Sequence, residues 1–189
     1  MKNTLFTLIV AAILVSCSSK DNTIEAIREL EIKLYSENTT VFDKDIADKL
    51  VASYRDFVSK YPEDEKSPEY LFKAAEVSMG MESPEIALVC YKQVYTDYPD
   101  YAKASTALFL EGFVYETQTA NLVMAQKCYN EFMDKYPNHT LADDAKFSLE
   151  NLGKSNEEII REFEEKLKNK AIEGTEENDS TETNDPEIL

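Results

Sequence analysis

One ending recurs three times along the chain, and it limits the fold more than any other feature. "FVSKYPED", "VYTDYPDY" and "EFMDKYPNH" each carry an apolar run into a Tyr-Pro pair, with prolines at Pro62, Pro99 and Pro137. The spacings are 37 residues (62 to 99) and 38 residues (99 to 137). Counting back from each proline, Leu50, Ala87 and Ala125 stand at twelve, and Tyr54, Tyr91 and Tyr129 at eight. Phe57, Val94 and Phe132 stand at five, and Tyr61, Tyr98 and Tyr136 at one. The first three offsets share one face of a helix. The proline then stops that helix, because its ring disfavours α backbone in the residue before it. Counting forward, Ser67, Ala104 and Ala142 stand at five and Phe72, Phe109 and Phe147 at ten, which marks a second helix after each stop. Self-similarity at this period predicts helical hairpins stacked side by side, since a lone hairpin cannot bury its apolar face. The expected class is all-α.

Composition agrees. There are 4 glycines and no Trp in 189 residues, and Ala, Glu, Lys and Leu are plentiful, which favours helices over turn-rich β structure. Ser67-Pro68-Glu69 and Ser83-Pro84-Glu85 each offer an N-cap hydroxyl, a proline for the first turn and an acid at the positive end of the helix dipole. Ser155 and Glu158 form a capping-box pattern for a last helix near 156–171, whose Ile159, Ile160, Phe163 and Leu167 give it one apolar face suited to capping the stack. At the other end Ile24, Ile27, Leu30, Leu34 and Tyr35 share a face of a helix near 23–36. These boundaries predict one continuous helical domain over 23–172.

The chain carries a formal net charge of −17, which repels phosphate backbones and argues against a nucleic-acid partner. Much of the excess lies in 173–189, where Glu173, Glu176, Glu177, Asp179, Glu182, Asp185 and Glu187 meet no Lys or Arg. That composition predicts a disordered acidic tail, either a solvated end or a docking tail. The opposite end has Lys2 and then an apolar run from Leu5 to Val15, far short of the ~20 residues of a membrane span and suited to a secretory signal over 1–16. Leu14-Val15-Ser16-Cys17 resembles the bacterial lipobox, which implies that Cys17 is the lipidated first residue of the mature chain. Residues 17–22 then read as the lipidated cysteine and a linker of roughly 16 Å at ~3.3 Å per residue. Ser18 is not the Asp that retains many such lipoproteins at the inner membrane, so the resemblance implies the outer membrane; either leaflet is open, and a periplasm-facing placement is the one expected.

Little in the chain resembles catalytic machinery. His139 is the single histidine and sits in the "YPNHT" loop beside Thr140, so a multi-histidine zinc site cannot be assembled, and no Ser-His-Asp pattern is recognisable around it. Four scattered glycines make no phosphate-cradling loop. No enzyme, cofactor or metal is expected. Cys90 and Cys128 occupy equivalent points of adjacent repeats, which packed helices hold on the order of 10 Å apart. A disulfide needs Cα atoms within about 7 Å, so two free, partly buried thiols are expected rather than a bridge.

Ala87-x3-Tyr91-x2-Val94-x4-Pro99 and Ala125-x3-Tyr129-x2-Phe132-x4-Pro137 resemble the second helix of a tetratricopeptide repeat, and Leu108-x3-Gly112-x2-Tyr115 resembles its first. The resemblance covers about residues 43–153. It departs from the family in its longer period, in Leu50 at a small-residue position, and in a Leu-Gly-Tyr signature seen once. It implies a TPR-like α-α superhelix of about three helical hairpins with N- and C-terminal flanking helices. In that family the first helices line a concave groove, which makes Phe72, Phe109, Phe113 and Phe147 the candidate partner-binding residues. The phenylalanines at ten past each proline either form a ladder along that groove or pack into the core. With the lipobox, the pattern resembles outer-membrane assembly lipoproteins of BamD type and the repeat domain of the Tol-Pal-associated periplasmic coordinator. Both imply a non-enzymatic scaffold that binds another envelope protein. The alternative is a surface-exposed accessory lipoprotein that binds a small ligand in a tyrosine-lined groove.

Overall fold

The computed structural model describes residues 19–35 and 42–179. Among these residues every regular element is an α-helix: α1 (19–34), α2 (Lys44–Lys60), α3 (Ser67–Gly80), α4 (Pro84–Asp97), α5 (Ala104–Thr117), α6 (Leu122–Lys135), α7 (Ala142–Asn151) and α8 (Asn156–Asp179). They fall into two compact units, one through Leu149 and one from Glu150 onward, where the sequence predicts a single domain. In the first unit α2 packs on α3, α3 on α4, α4 on α5 and α5 on α6. Spatial neighbours are therefore sequence neighbours, the arrangement of stacked hairpins. Cys17 and its surrounding segment, and the tail beyond Asp179, lie outside the described residues.

The recurring Tyr-Pro ending is a joint built three times with the same backbone hydrogen bonds. Tyr61, Tyr98 and Tyr136 close α2, α4 and α6, each donating its N–H to the carbonyl four residues back, on Phe57, Val94 and Phe132. Each tyrosine carbonyl then accepts the N–H of Asp64, Tyr101 or His139, whose own carbonyls accept from Ser67, Ala104 and Ala142. The proline that follows has no N–H to lose, so it ends the helix without leaving a donor unpaired. Asp64 and His139 do the same work with their side chains. Oδ1 of Asp64 accepts the Lys66 N–H at 2.9 Å and Nδ1 of His139 accepts the Leu141 N–H at 3.1 Å.

The stripe counted back from each proline is the core. Leu50, Tyr54, Phe57, Ala87, Tyr91, Val94, Ala125, Tyr129 and Phe132 are all fully buried. Burying one large side chain of this kind stabilises by about 1.5–3 kcal/mol. Two of the tyrosines stay inside because their hydroxyls find carboxylates: Tyr54 donates to Glu31 at 2.6 Å and Tyr129 to Glu116 at 2.7 Å. Gly112 is needed where it stands, since a Cβ there would sit 2.9 Å from the Tyr129 ring.

Several local expectations are revised. α1 is already helical at residue 19, the first described residue and ahead of the predicted start near 23, and so takes up most of the segment read as linker. This early turn is held by an ion pair of 2.9 Å from Lys20 to Asp64 at the first joint. Ile27 is fully buried and Ile24, Leu30 and Leu34 are half-buried against the core, as the stripe predicts, but Tyr35 is exposed. Ser67 is not a cap: its hydroxyl donates to the Tyr61 carbonyl and ties the start of α3 to the preceding joint. Ser83 holds the N-cap position of α4 without a side-chain cap bond. The caps that form are Asp43 to the Ile46 N–H at 3.0 Å and Asn121 to the Met124 N–H at 3.2 Å. Beside His139 the hydrogen bond that the turn needs comes from the imidazole and not from Thr140.

In the second unit the capping box is present in both directions. The Ser155 N–H donates to Glu158 at 2.8 Å and the Glu158 N–H to the Ser155 hydroxyl at 3.2 Å. Lys154 adds an ion pair to Glu162 at 2.7 Å. α8 runs to Asp179, beyond the predicted end near 171 and into the segment read as tail. Of its predicted apolar stripe, Ile159 is half-buried and Ile160, Phe163 and Leu167 are exposed.

Candidate binding surface

α3 and α5 each lie between two other helices, so little of either reaches solvent. On α3 the exposed residues are Glu76 and Gly80, on α5 Phe113 and Thr117. Glu69 and Lys73 on α3, and Thr106 and Leu110 on α5, are half-buried. Positions 69, 73 and 76 share one helical face, and 106, 110 and 113 are their equivalents 37 residues on. The first helices of successive hairpins thus present the same strip outward, charged on α3 and largely apolar on α5.

This strip is not the predicted phenylalanine ladder. Phe72 is 2% exposed and Phe109 9%, against 38% for Phe113 and 57% for Phe147. Phe72 and Phe109 point at the second helix of their own hairpins. Phe72 lies edge-on to Tyr91 with ring centroids 5.6 Å apart, and Phe109 meets Tyr129 at 5.5 Å and Phe132 at 5.7 Å. The structure takes Phe72 and Phe109 into the core and leaves Phe113 and Phe147 accessible. The accessible line falls one residue and four residues later, at Lys73 and Glu76 and at Leu110 and Phe113.

The charged half of the strip is organised. Lys73 reaches Glu69 at 2.9 Å on its own helix and Glu31 of α1 at 3.0 Å, and Glu31 also accepts the Tyr54 hydroxyl. Burial works against the Lys73 ammonium, but its bonds to Glu69 and Glu31 outweigh that and raise its pKa above the usual lysine range. Glu31 thereby joins α1, α2 and α3.

Glu111, which nothing in the sequence singles out, is the buried charged residue of the described chain, 3% exposed. Its Oε2 accepts from the Tyr95 hydroxyl at 2.7 Å and the Cys128 thiol at 3.7 Å. Burial raises its pKa despite those two bonds. Cys90 and Cys128 are both free and buried. Burial pushes the Cys90 thiol to about 11, and burial with the Glu111 carboxylate pushes Cys128 to about 12. Thiols that rarely ionise are poor nucleophiles, so these two act as small core residues. His139 lies edge-on to Phe132 at 5.3 Å, and with its Nδ1 engaged it belongs to the joint. No group of three or more His, Cys, Asp or Glu among the described residues is placed to hold a metal ion, and no described helix is long and apolar enough to cross a membrane.

Between the first two joints lies an open cleft of about 360 Å³, walled by Pro62, Pro68, Pro99, Tyr98 and Tyr101 and edged by carboxylates including Asp97 and Asp100. The Tyr98 hydroxyl spans it to the Pro62 carbonyl at 3.0 Å. No protein-family model and no curated protein matches this chain.

Proposed function

We propose that the chain is a non-enzymatic scaffold of tetratricopeptide-like repeats, anchored by lipid at Cys17, that holds a partner protein of the bacterial cell envelope. The carrying observation is the outward strip on α3 and α5. Two equivalent helix faces stand in a packed stack, one bearing the Glu69–Lys73 pair and Glu76, the other Leu110 and the half-exposed ring of Phe113. An accessible aromatic side chain on one helix face and an ordered ion pair on the equivalent face of another supply the aromatic anchor and polar rim that docking surfaces use. The apolar run before Leu14-Val15-Ser16-Cys17 supports export and lipidation, and Ser18 supports the outer membrane. A role in outer-membrane protein assembly, as in BamD-type lipoproteins, is the finer reading of the same features. The second reading, a ligand-binding accessory, draws on the tyrosine-walled cleft between the first two joints.

The anchor is tested by growing cells with labelled palmitate. The wild-type chain is expected to take up label and to leave the membrane fraction with detergent but not with high salt. Cys17→Ser is expected to carry no label and to lose its membrane association. A Cys17→Ser chain that stays membrane-bound would sink the anchoring half of the proposal.

A further inference from the structure

Glu111 sits on α5 at the point where the preceding hairpin has Ala74, 37 residues earlier, which is fully buried. A carboxyl group has therefore been placed in a position that an alanine can fill. Its surroundings come from three helices. From α4 it faces the Tyr95 hydroxyl, with Lys92 acting through space; from α6 it faces the Cys128 thiol, with Glu131 acting against it; Tyr115 is its titratable neighbour on α5. Both hydrogen-bond donors are neutral, and no Lys or Arg of the described residues pairs with it. A carboxylate withdrawn from water with only neutral donors is disfavoured against its protonated form, because two hydrogen bonds do not replace a hydration shell.

We propose that Glu111 is an acid-responsive strut: protonated, it lets α4, α5 and α6 pack at their firmest, and ionised, it loosens them. The sign follows from linkage. The folded carboxyl holds its proton to higher pH than the same group in the unfolded chain, where it titrates near 4.5. Between those two points the unfolded chain has lost its proton and the folded chain has not. Stability from this group is thus present in acid and falls as pH rises through the folded value. The contribution of Glu111 thus firms the packing of α4, α5 and α6 in acid and is lost as pH rises through its folded value.

The test compares urea midpoints of the full chain with those of Glu111→Gln from pH 4.5 to pH 8. Glutamine keeps the shape and an acceptor for Tyr95 but cannot ionise, and all other acids are common to both proteins, so their titration cancels. The midpoints are expected to lie close together at pH 4.5 and to separate as pH rises, with Gln the more stable of the two at pH 8. Parallel curves, or a Gln protein equally weakened at both ends, would overturn the proposal. Tyr95→Phe gives an independent reading, because it removes the donor that eases the charged form. Its destabilisation is expected to be larger at pH 8 than at pH 4.5, and an equal loss at both pH values would also overturn the strut.

Discussion

Replacing Phe132 by alanine is expected to cost about 3–5 kcal/mol, the range for emptying a fully buried aromatic site. The ring is completely buried, and it meets Phe109 at 5.7 Å, Tyr136 at 5.7 Å and His139 at 5.3 Å. It therefore supports the α5–α6 hairpin and the third joint at once. Against a typical total of about 5–15 kcal/mol, a loss of that size leaves the fold marginal or unfolded at growth temperature. The companion substitution is Phe113→Ala, which removes the same chemical group from a partly exposed site on the neighbouring helix. It is expected to stay within about 1 kcal/mol of wild type. Urea unfolding followed by helical circular dichroism checks both. Similar losses for the two would mean that the outward strip is core.

The second large effect is steric. A valine at position 112 is expected to destabilise by about 3 kcal/mol, at the upper end for overpacking a tight core. An added Cβ would lie 2.9 Å and 3.0 Å from two Tyr129 ring carbons and 3.1 Å from the Cys128 Cβ. The ring has little room to retreat, being fully buried with its hydroxyl held by Glu116 on the same helix as the glycine. The preceding hairpin carries Ala75 here, where Tyr91 has no carboxylate partner and its hydroxyl reaches only the Met79 sulfur at 4.0 Å. Gly80→Ala is the control in the same assay. Nothing lies within 4 Å of its added Cβ, so the lower entropy of alanine is expected to raise stability by about 0.5–1 kcal/mol.

The second helix of each hairpin was legible in the sequence because one physical pattern writes it. Apolar side chains at twelve, eight and five before a proline share one helix face and are buried together, and all nine are. The first helices were harder to read. α3 and α5 are covered on both sides, so burial wraps most of the helix and periodicity no longer separates core from surface. Phe72 and Phe109 sit on the inner side of that boundary, and Lys73 and Leu110 one residue on sit at its edge. The helical state of Ser19 to Asn22 was hidden by their polar composition, which suits a linker as well as a helical turn. What fixes it is a contact 44 residues away, from Lys20 to Asp64. Asp43 and Asn121 cap where Ser67 does not, because Ser67 is drawn to a carbonyl in the joint behind it. Glu111 had no signal at all: an acid in a helix of a chain with 37 acids reads as solvated surface until its neighbours are known.

The central claim is that a partner docks on the strip presented by α3 and α5, and crosslinking in cells tests it most directly. A photo-reactive residue would be placed at Phe113 of the full chain, and in a parallel strain at Val89, which is exposed on α4. After irradiation the adducts would be identified by mass spectrometry. The account predicts a defined envelope protein captured from Phe113 and not from Val89. Capture of the same protein from Val89 alone, or only crosslinks within the chain from Phe113, would contradict it.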